Sequence, residues 1–278
     1  MFQSRKIVIA TMHQKEKVIE PLLEDNFKLQ CTVPSGFDSD SLGTFSGEIE
    51  RKSDPITTLR QKCLLAIEKT NLDLAIASEG SFGAHPSLFF AQGNDELVML
   101  FDKKNNLEIV ARELSLETNF STQIVKTYVE LEDFAKKALF PSHGLILRKN
   151  KTDYSVIFKG ITDSEDLKRI FKKIHSENGE VLVETDMRAL FNPTRMKNIE
   201  KATVKLIEKM KSLCPKCDTP GFEITQVISG LPCELCGNPT ASTWKFKKNC
   251  KKCDHEELLV FPNGKSVESP EYCNTCNP

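Results

Sequence analysis

The last 65 residues of this 278-residue chain contain four Cys-x-x-Cys pairs, and no other feature constrains the fold as strongly. Each pair places two sulfur atoms on one tight turn, here called a knuckle, and two knuckles complete a tetrahedral metal site. The spacing therefore predicts two structural zinc ions, held by eight cysteines: Cys214, Cys217, Cys233, Cys236, Cys250, Cys253, Cys273 and Cys276.

The spacing leaves two ways to pair the knuckles. The gap between the first and second knuckles is 15 residues and the gap between the third and fourth is 19, both in or near the range of zinc-binding repeats. Sequential pairing gives tandem ribbons, whereas interleaved pairing joins the first knuckle to the third and the second to the fourth. We favour sequential pairing, because each enclosed segment could then form its own hairpin.

Composition excludes several classes of protein. The chain has 38 basic and 39 acidic residues, so it has no global charge that would attract it to nucleic acid or anionic lipid. No apolar run approaches the ~18 residues of a membrane span, and the apolar run near the amino terminus is too short for a signal peptide. We therefore expect a cytoplasmic protein without a membrane segment, in a compartment where cysteines stay reduced.

Residues 1–213 are predicted to form an α/β domain and residues 214–278 a small tandem zinc-ribbon domain. Short apolar runs such as Lys6–Thr11 and Leu74–Ser78 predict buried strands, and amphipathic helices alternate with them. The segments Glu96–Phe101 and Glu108–Leu114 predict an antiparallel hairpin. The sheet of the first domain should therefore be mixed and flanked by helices.

Ligands of open α/β sheets bind beyond the carboxyl ends of the strands. Lys15 follows the first predicted strand, and Ser78–Pro86 follows a later one as either a ligand-binding loop or a tight structural turn. Arg188 and Arg195 flank the start of a predicted helix, where two guanidinium groups would suit a phosphate or carboxylate. An ion pair between Arg195 and Asp186 is an equally favoured interpretation.

A lysine-rich stretch with two aromatic residues lies beside the third knuckle. Such a stretch could contact nucleic acid or a protein partner, or it could be a solvated edge strand whose lysines protect the edge. The edge strand is the favoured interpretation, because residues 214–278 carry no excess of basic residues. The five lysines are Lys245, Lys247, Lys248, Lys251 and Lys252.

Several motifs resemble an uncharacterised bacterial domain-of-unknown-function family over essentially the whole chain. They are ASEGSFGAHP, ETDMRA and NPTRM, followed by GLPCELCGNPT and YCNTCNP. This resemblance implies an α/β domain fused to zinc ribbons and a cytoplasmic location, and it supplies no activity.

A second, partial resemblance concerns the amino-terminal half. The segments KIVIAT, GTFSGE, KCLLAIEKT and LAIASEGS are similar in order to those of the inosine-triphosphate pyrophosphatase and Maf-like nucleotide hydrolases. The resemblance implies that Glu48 and Glu79 bind Mg²⁺ and activate water. It also implies that the phosphates of a nucleotide, or of another phosphorylated small molecule, are held by Lys15, Lys62 and Arg195.

Two functions therefore remain open. The first is an Mg²⁺-dependent nucleotide or phosphate-ester hydrolase with a structural zinc-ribbon appendage. The second is a non-catalytic binding protein whose ribbons contact nucleic acid or a protein partner.

Overall fold

A computed structural model describes residues 1–37, 53–88 and 90–278 of the chain. These residues divide into two compact units, Phe2–Ile207 and Glu208–Pro278, and each unit is described by itself below. Glu48 and the other acidic residues of the segment 38–52 lie outside the described residues. Among the described residues, no helix combines the length and the apolarity needed to cross a bilayer.

The first unit begins with a five-stranded mixed sheet in the order β2-β1-β3-β4-β5. Strand β1 pairs in parallel with β2 and β3, whereas β3, β4 and β5 pair antiparallel, so the prediction of a mixed sheet is confirmed. The strands are β1 (Lys6–Ala10), β2 (Gln30–Thr32), β3 (Leu74–Ala84), β4 (Gln92–Asp102) and β5 (Leu107–Ser115).

Two helices belong to this part of the chain, α1 (Glu16–Phe27) and α2 (Pro55–Thr70). Helix α2 starts where Asp54 accepts hydrogen bonds from the backbone N–H groups of Ile56 and Thr57, because an aspartate at the N-cap satisfies amides that have no partner within the helix. The apolar face of α2 packs against β1, β3 and β4. The core residues are Val8, Ala10, Leu59, Cys63, Ala66, Ile67, Ala75, Ala77 and Met99.

Strand β3 is longer than the sequence predicts. Its pairing with β1 ends at Ala10 and Ala77, but β3 continues to Ala84 against β4 alone. Most of the segment Ser78–Pro86, which was expected to be a loop or tight turn, is therefore strand. Beyond Ala77, the edge of β3 that faces β1 has no strand partner among the described residues.

The rest of the first unit contains a second sheet, which the sequence did not separate from the first. Its order is β6-β9-β7-β8 and all its pairs are antiparallel. Helices α3 (Tyr128–Lys137) and α4 (Ser164–Asn178) pack on it. The strands are β6 (Thr122–Val125), β7 (Leu145–Arg148), β8 (Ile157–Ile161) and β9 (Val181–Thr185).

Helix α5 (Pro193–Lys211) follows the second sheet. Its buried positions recur every three or four residues, as in any helix with one face against a core. They include Arg195, Asn198, Ile199, Ala202, Leu206 and Met210. Two of these buried residues are not apolar: Asn198 is polar and Arg195 is charged.

The second unit contains a three-stranded antiparallel sheet in the order β10-β11-β12. Its strands are β10 (Glu223–Ser229), β11 (Thr243–Asn249) and β12 (Glu256–Val260). Three residues of the lysine-rich stretch, Lys245, Lys247 and Lys248, lie in β11, which is the central strand of this sheet. The expectation of an edge strand is wrong, because β12 supplies a second partner on the far side of β11.

Candidate functional site

The eight knuckle cysteines form two groups of four. One group is Cys214, Cys217, Cys250 and Cys253, and the other is Cys233, Cys236, Cys273 and Cys276. In the first group, the Sγ atoms of Cys214 and Cys253 are 3.7 Å apart and those of Cys217 and Cys250 are 3.6 Å apart. In the second group the corresponding distances are 3.9 and 3.6 Å.

These separations fit a tetrahedral thiolate site. Zinc–sulfur bonds of about 2.3 Å place the sulfurs of a tetrahedron about 3.8 Å apart, far beyond the ~2.05 Å of a disulfide. Each group can therefore hold one metal ion with four sulfur ligands. A site closed by four cysteines leaves no open position for a substrate, which is typical of a structural ion.

The observed pairing is interleaved, so the expectation of sequential pairing is wrong. The segment between the first and second knuckles is a single strand, β10, rather than a hairpin. Seven residues of strand extend about 20–24 Å, which separates those two knuckles by too much for one ion. Strand β11 returns antiparallel with Glu223 opposite Asn249, and this register brings the third knuckle beside the first.

Two of the lysines in and beside β11 have acidic partners. Lys247 Nζ lies 2.6 Å from Glu256 Oε1, and Lys251 Nζ lies 3.6 Å from Glu223 Oε1. Lys245 lies over the ring of Trp244, 3.5 Å from its centroid. These contacts give part of the lysine stretch a role within the unit, and a nucleic-acid or protein contact through it stays a prediction.

The first unit contains a second group of chemically active side chains, which we call the five-charge cluster. It consists of three cations and two carboxylates, each less than a tenth exposed. They come from five places in the chain: the start of α1, then α2, β3, β4 and α5. The members are Lys15, Lys62, Glu79, Glu96 and Arg195.

The cluster surrounds β3 where that strand extends beyond β1. Lys62 donates a short hydrogen bond to Glu79, which shares the face of β3 that packs against α2. Glu96 lies opposite Gly80 on β4, so it belongs to the other face, where its Oε1 accepts from Arg195 Nε at 2.7 Å. Lys15 Nζ lies 3.4 Å from the carbonyl oxygen of Ser78, just beyond the part of β3 that pairs with β1.

Gly80 makes the close approach on the second face possible. A Cβ atom at this position would collide with Glu96 Oε1 and lie 2.7 Å from Arg195 Nη2. The guanidinium of Arg195 also donates to the carbonyl oxygen of Met187 and lies over the ring of Phe82, 5.2 Å from its centroid. A glycine in an extended strand weakens that strand, so its use here serves the ion pair beside it.

The five-charge cluster has one more cation than carboxylates. Each carboxylate has a cationic partner, and Lys15 is the additional positive charge. The pKa of Lys15 is lowered to about 7, first by burial and then by the positive charges of Arg195 and Lys62, although Glu96 and Glu79 oppose this. Near neutral pH, Lys15 is therefore poised to take up a proton when an anion approaches.

Several polar atoms beside the cluster have no hydrogen-bond partner among the described residues. They include both side-chain atoms of Asn94, a residue that is only 1 % exposed, and also Ser78 Oγ and Glu96 Oε2. Buried polar atoms are almost always paired with protein, water or ligand. A ligand or ordered water with hydrogen-bonding groups would satisfy them.

The structure brings together four of the site residues that the sequence suggested, namely Lys15, Lys62, Glu79 and Arg195. Arg188 is not among them: its Nη2 donates to Asp186 Oδ2 at 2.6 Å, which leaves Arg195 to pair elsewhere. The interpretation that paired Arg195 with Asp186 is therefore wrong.

Sequence reasoning missed Glu96 and Asn94, because their place beside β3 depends on strand register. One signal was present in the sequence: the polar run Asn94-Asp95-Glu96 opens a strand that is otherwise largely apolar. Burying polar side chains at the start of a strand costs free energy unless they have hydrogen-bond partners, so this run indicates a functional site.

Replacing Lys15 with methionine should stabilise the ligand-free protein, more at pH 6 than at pH 9. The folded pKa of Lys15 is about 7, below the usual lysine value of 10.5. The cost of burying the charged form is fully present below pH 7 and fades as the pH rises towards 10.5. We expect Lys15→Met to raise the free energy of unfolding by about 1–3 kcal/mol at pH 6.

Chemical denaturation at pH 6 and pH 9 measures this difference. Lys17→Met, at an exposed position on the same helix, is the matched control and should change the free energy of unfolding little at either pH. An equal gain at both pH values would contradict the assignment of the low pKa to Lys15.

One family model matches the chain, over residues 62–278, and that family is described as a domain of unknown function, DUF6671. No curated protein matches the chain. The matched residues include all eight knuckle cysteines and four members of the five-charge cluster.

Proposed function

The chain belongs to the DUF6671 family, and because that family has no assigned activity, we propose a function from the geometry: the first unit binds a phosphorylated small molecule at the five-charge cluster and hydrolyses it. The class of substrate is a nucleotide. The observation that carries the proposal is a buried excess of one positive charge among the described residues, with Lys62 on one face of β3, Arg195 on the other and Lys15 at the edge.

The charge balance of the cluster favours an anion. Burying a charge without a partner costs several kcal/mol, so an additional buried lysine destabilises the empty protein. A phosphate group would offset that cost, because its oxygens accept hydrogen bonds from ammonium and guanidinium groups. The cations would also neutralise the charge that builds on the phosphate oxygens in the transition state.

We assign Glu79 the role of general base, which would activate the water molecule that attacks the phosphate. Its carboxylate is held by Lys62. A bound phosphate would compete for that lysine, and the carboxylate would then be free to accept a proton from water. Glu96 is less suited to this role, because its pair with Arg195 has no solvent exposure on either side chain.

The partial resemblance to nucleotide hydrolases implies Mg²⁺. Protein sites for this ion supply one or two carboxylates and rely on phosphate oxygens for the rest. Glu79 meets the minimum, whereas Glu96 lies on the opposite face of β3 and would not share the ion with it. Bound there, Mg²⁺ would supply a Lewis acid for the phosphate oxygens. Glu48, the second expected ligand, lies outside the described residues.

We infer zinc for the two cysteine groups, with a structural role. The sulfur separations and the all-cysteine ligand sets fit zinc, and the closed sites leave no position for chemistry. Zinc binding would then contribute directly to the folding of the second unit. This assignment is independent of the hydrolase proposal.

A turnover screen tests the proposed function. The full, zinc-loaded chain is incubated with a panel of nucleoside triphosphates and Mg²⁺, and the release of phosphate and pyrophosphate is measured. We expect Glu79→Gln to lower turnover at least 100-fold while the fold is kept, because glutamine still offers an oxygen to Lys62.

Glu184→Gln is the matched control. Glu184 is also a strand glutamate in an ion pair, with Arg148 Nε 2.7 Å from its Oε2, but it belongs to the second sheet. Its turnover should stay within threefold of the wild type. Nucleotide binding without turnover would favour a non-catalytic binding protein, and equal turnover in both variants would contradict the role of Glu79.

A further inference from the structure

We propose that a cavity beside the five-charge cluster binds the base of the nucleotide. This inference rests on the proposed function and extends it to the organic part of the ligand. The cavity has a volume of about 230 Å³. Cavities that enclose a whole drug-sized ligand measure about 300–1,000 Å³, so this one suits a single ring system. We call it the Phe82 cavity, and its walls include Ser81, Phe82, Gly83, His85, Asp95 and Arg112.

The Phe82 cavity and the cluster are adjacent along one strand. Side chains of a strand alternate between faces, so Ser81 and Gly83 follow Glu79 on the same face of β3. Successive positions on one face are about 6.6 Å apart, a distance that one bound ligand can span. Phe82 also lines the cavity, although its ring lies on the opposite face of β3, under the guanidinium of Arg195.

The cavity wall offers a hydrogen-bond donor and an acceptor side by side. Arg112 on β5 donates two hydrogen bonds to Asp95 on β4, at 2.7 and 2.8 Å. The pair is partly exposed, since 28 % of the Asp95 side chain and 55 % of the Arg112 side chain contact solvent. A nucleobase edge presents the same alternation of N–H groups and acceptors, and the flat guanidinium can also stack on a ring.

His85 adds a donor of fixed orientation. Its Nδ1 accepts from the backbone N–H groups of Ser87 and Leu88, at 3.2 and 3.1 Å. In the neutral ring, Nε2 then carries the proton and is a donor. The cavity thus combines two kinds of N–H donor with one carboxylate acceptor.

Gly83 is the residue that keeps the Phe82 cavity open. A Cβ atom at Gly83 would meet no heavy atom of the described residues within 4 Å, and the backbone there is not left-handed. Neither close packing nor backbone conformation therefore requires glycine, although glycine costs a strand some stability. Among the described residues, space for a ligand is the physical reason that remains for its presence.

A binding experiment with inorganic triphosphate as the reference tests the proposal. Isothermal titration calorimetry without divalent metal, so that no turnover consumes the ligand, compares nucleoside triphosphates with inorganic triphosphate. The wild type should bind at least one nucleotide tenfold more tightly than inorganic triphosphate. Gly83→Leu should abolish this preference by filling the cavity and should change the affinity for inorganic triphosphate less than twofold.

Three further variants sharpen the comparison. Gly83→Ala should reduce the preference only partly, because a methyl group fills little of the cavity. Gln123→Leu, an exposed position on β6, controls for an added leucine and should behave as the wild type. If Gly83→Leu does not fold, Asp95→Asn replaces it: this partly exposed pair contributes little to stability, and exchanging one carboxylate acceptor for an NH2 donor should lower nucleotide affinity about tenfold.

The outcomes separate this inference from the proposed function. Equal wild-type affinity for nucleotides and inorganic triphosphate, or a nucleotide preference that survives both Gly83→Leu and Asp95→Asn, would overturn the base site and leave the phosphate site standing. A wild-type chain that binds neither ligand would overturn both.

Discussion

Replacing Cys214 and Cys250 together with serine should release one of two zinc ions and leave the other bound. The two cysteines belong to the same group, so their loss removes two of four ligands from one site and none from the other. Under sequential pairing, the same two substitutions would damage both sites. Zinc content per folded chain, measured by mass spectrometry of metals after gel filtration, distinguishes the two pairings.

Cys214→Ser combined with Cys233→Ser is the matched control. These cysteines belong to different groups, so both sites lose a ligand and we expect little zinc to remain. Sequential pairing predicts the opposite result: the control would keep one ion and the first double variant would keep none. A first double variant without zinc would therefore contradict the interleaved arrangement.

The consequence for stability should also be large. Structural zinc sites contribute on the order of 10 kcal/mol to the folding of small domains. The two cysteine groups lie at opposite ends of β10, and β11 connects them as well. Loss of either ion should therefore loosen the whole three-stranded sheet, whereas tandem ribbons would unfold one at a time.

The knuckles themselves could be predicted from sequence, because Cys-x-x-Cys is a local geometry that needs only four residues. Their pairing could not, because 15- and 19-residue gaps are compatible with either arrangement. What decides it is the conformation of residues 223–229: a single strand separates the knuckles at its ends, and a hairpin would join them. Short polar–apolar alternations do not distinguish those two cases.

The fold of the first unit could likewise be predicted only in part. Strands that alternate with helices, together with one hairpin, predict a mixed sheet. The separate antiparallel sheet could not be predicted, because β9 pairs on one side with the short strand β6, which no sequence pattern indicates. Strand pairing between residues about 60 positions apart depends on packing that no local sequence pattern predicts.

Part of the five-charge cluster could be predicted from the sequence, because its cations follow strand ends or lie on helices beside the strands. Glu96 was not visible, because only the register that sets Gly80 opposite Glu96 brings it to Arg195. Arg188 pairs locally: Asp186 is two residues away, and both of its carboxylate oxygens accept hydrogen bonds from the Arg188 guanidinium. An ion pair between residues this close in sequence needs no particular tertiary fold, so it forms within the segment itself.

Replacing Arg195 with methionine should destabilise the first unit by about 3–5 kcal/mol, because it leaves Glu96 buried and without its cation. Both side chains of this pair have no solvent exposure. Arg195→Met combined with Glu96→Leu should restore most of the loss, since apolar residues of similar volume often replace a buried ion pair at little cost. Denaturant titration of the two single variants and the double variant measures the coupling.

Ligand binding by the double variant separates the structural role of Arg195 from its role in phosphate recognition. If the arginine only neutralises Glu96, the folded double variant should bind inorganic triphosphate as the wild type does, through Lys15 and Lys62. We expect at least a tenfold loss of affinity instead, because the guanidinium contributes positive charge and hydrogen-bond donors beside Lys15. Its removal should also raise the pKa of Lys15 above 7, since the repulsion that opposes protonation is gone. Unchanged affinity in a folded double variant would contradict the place of Arg195 in the phosphate site.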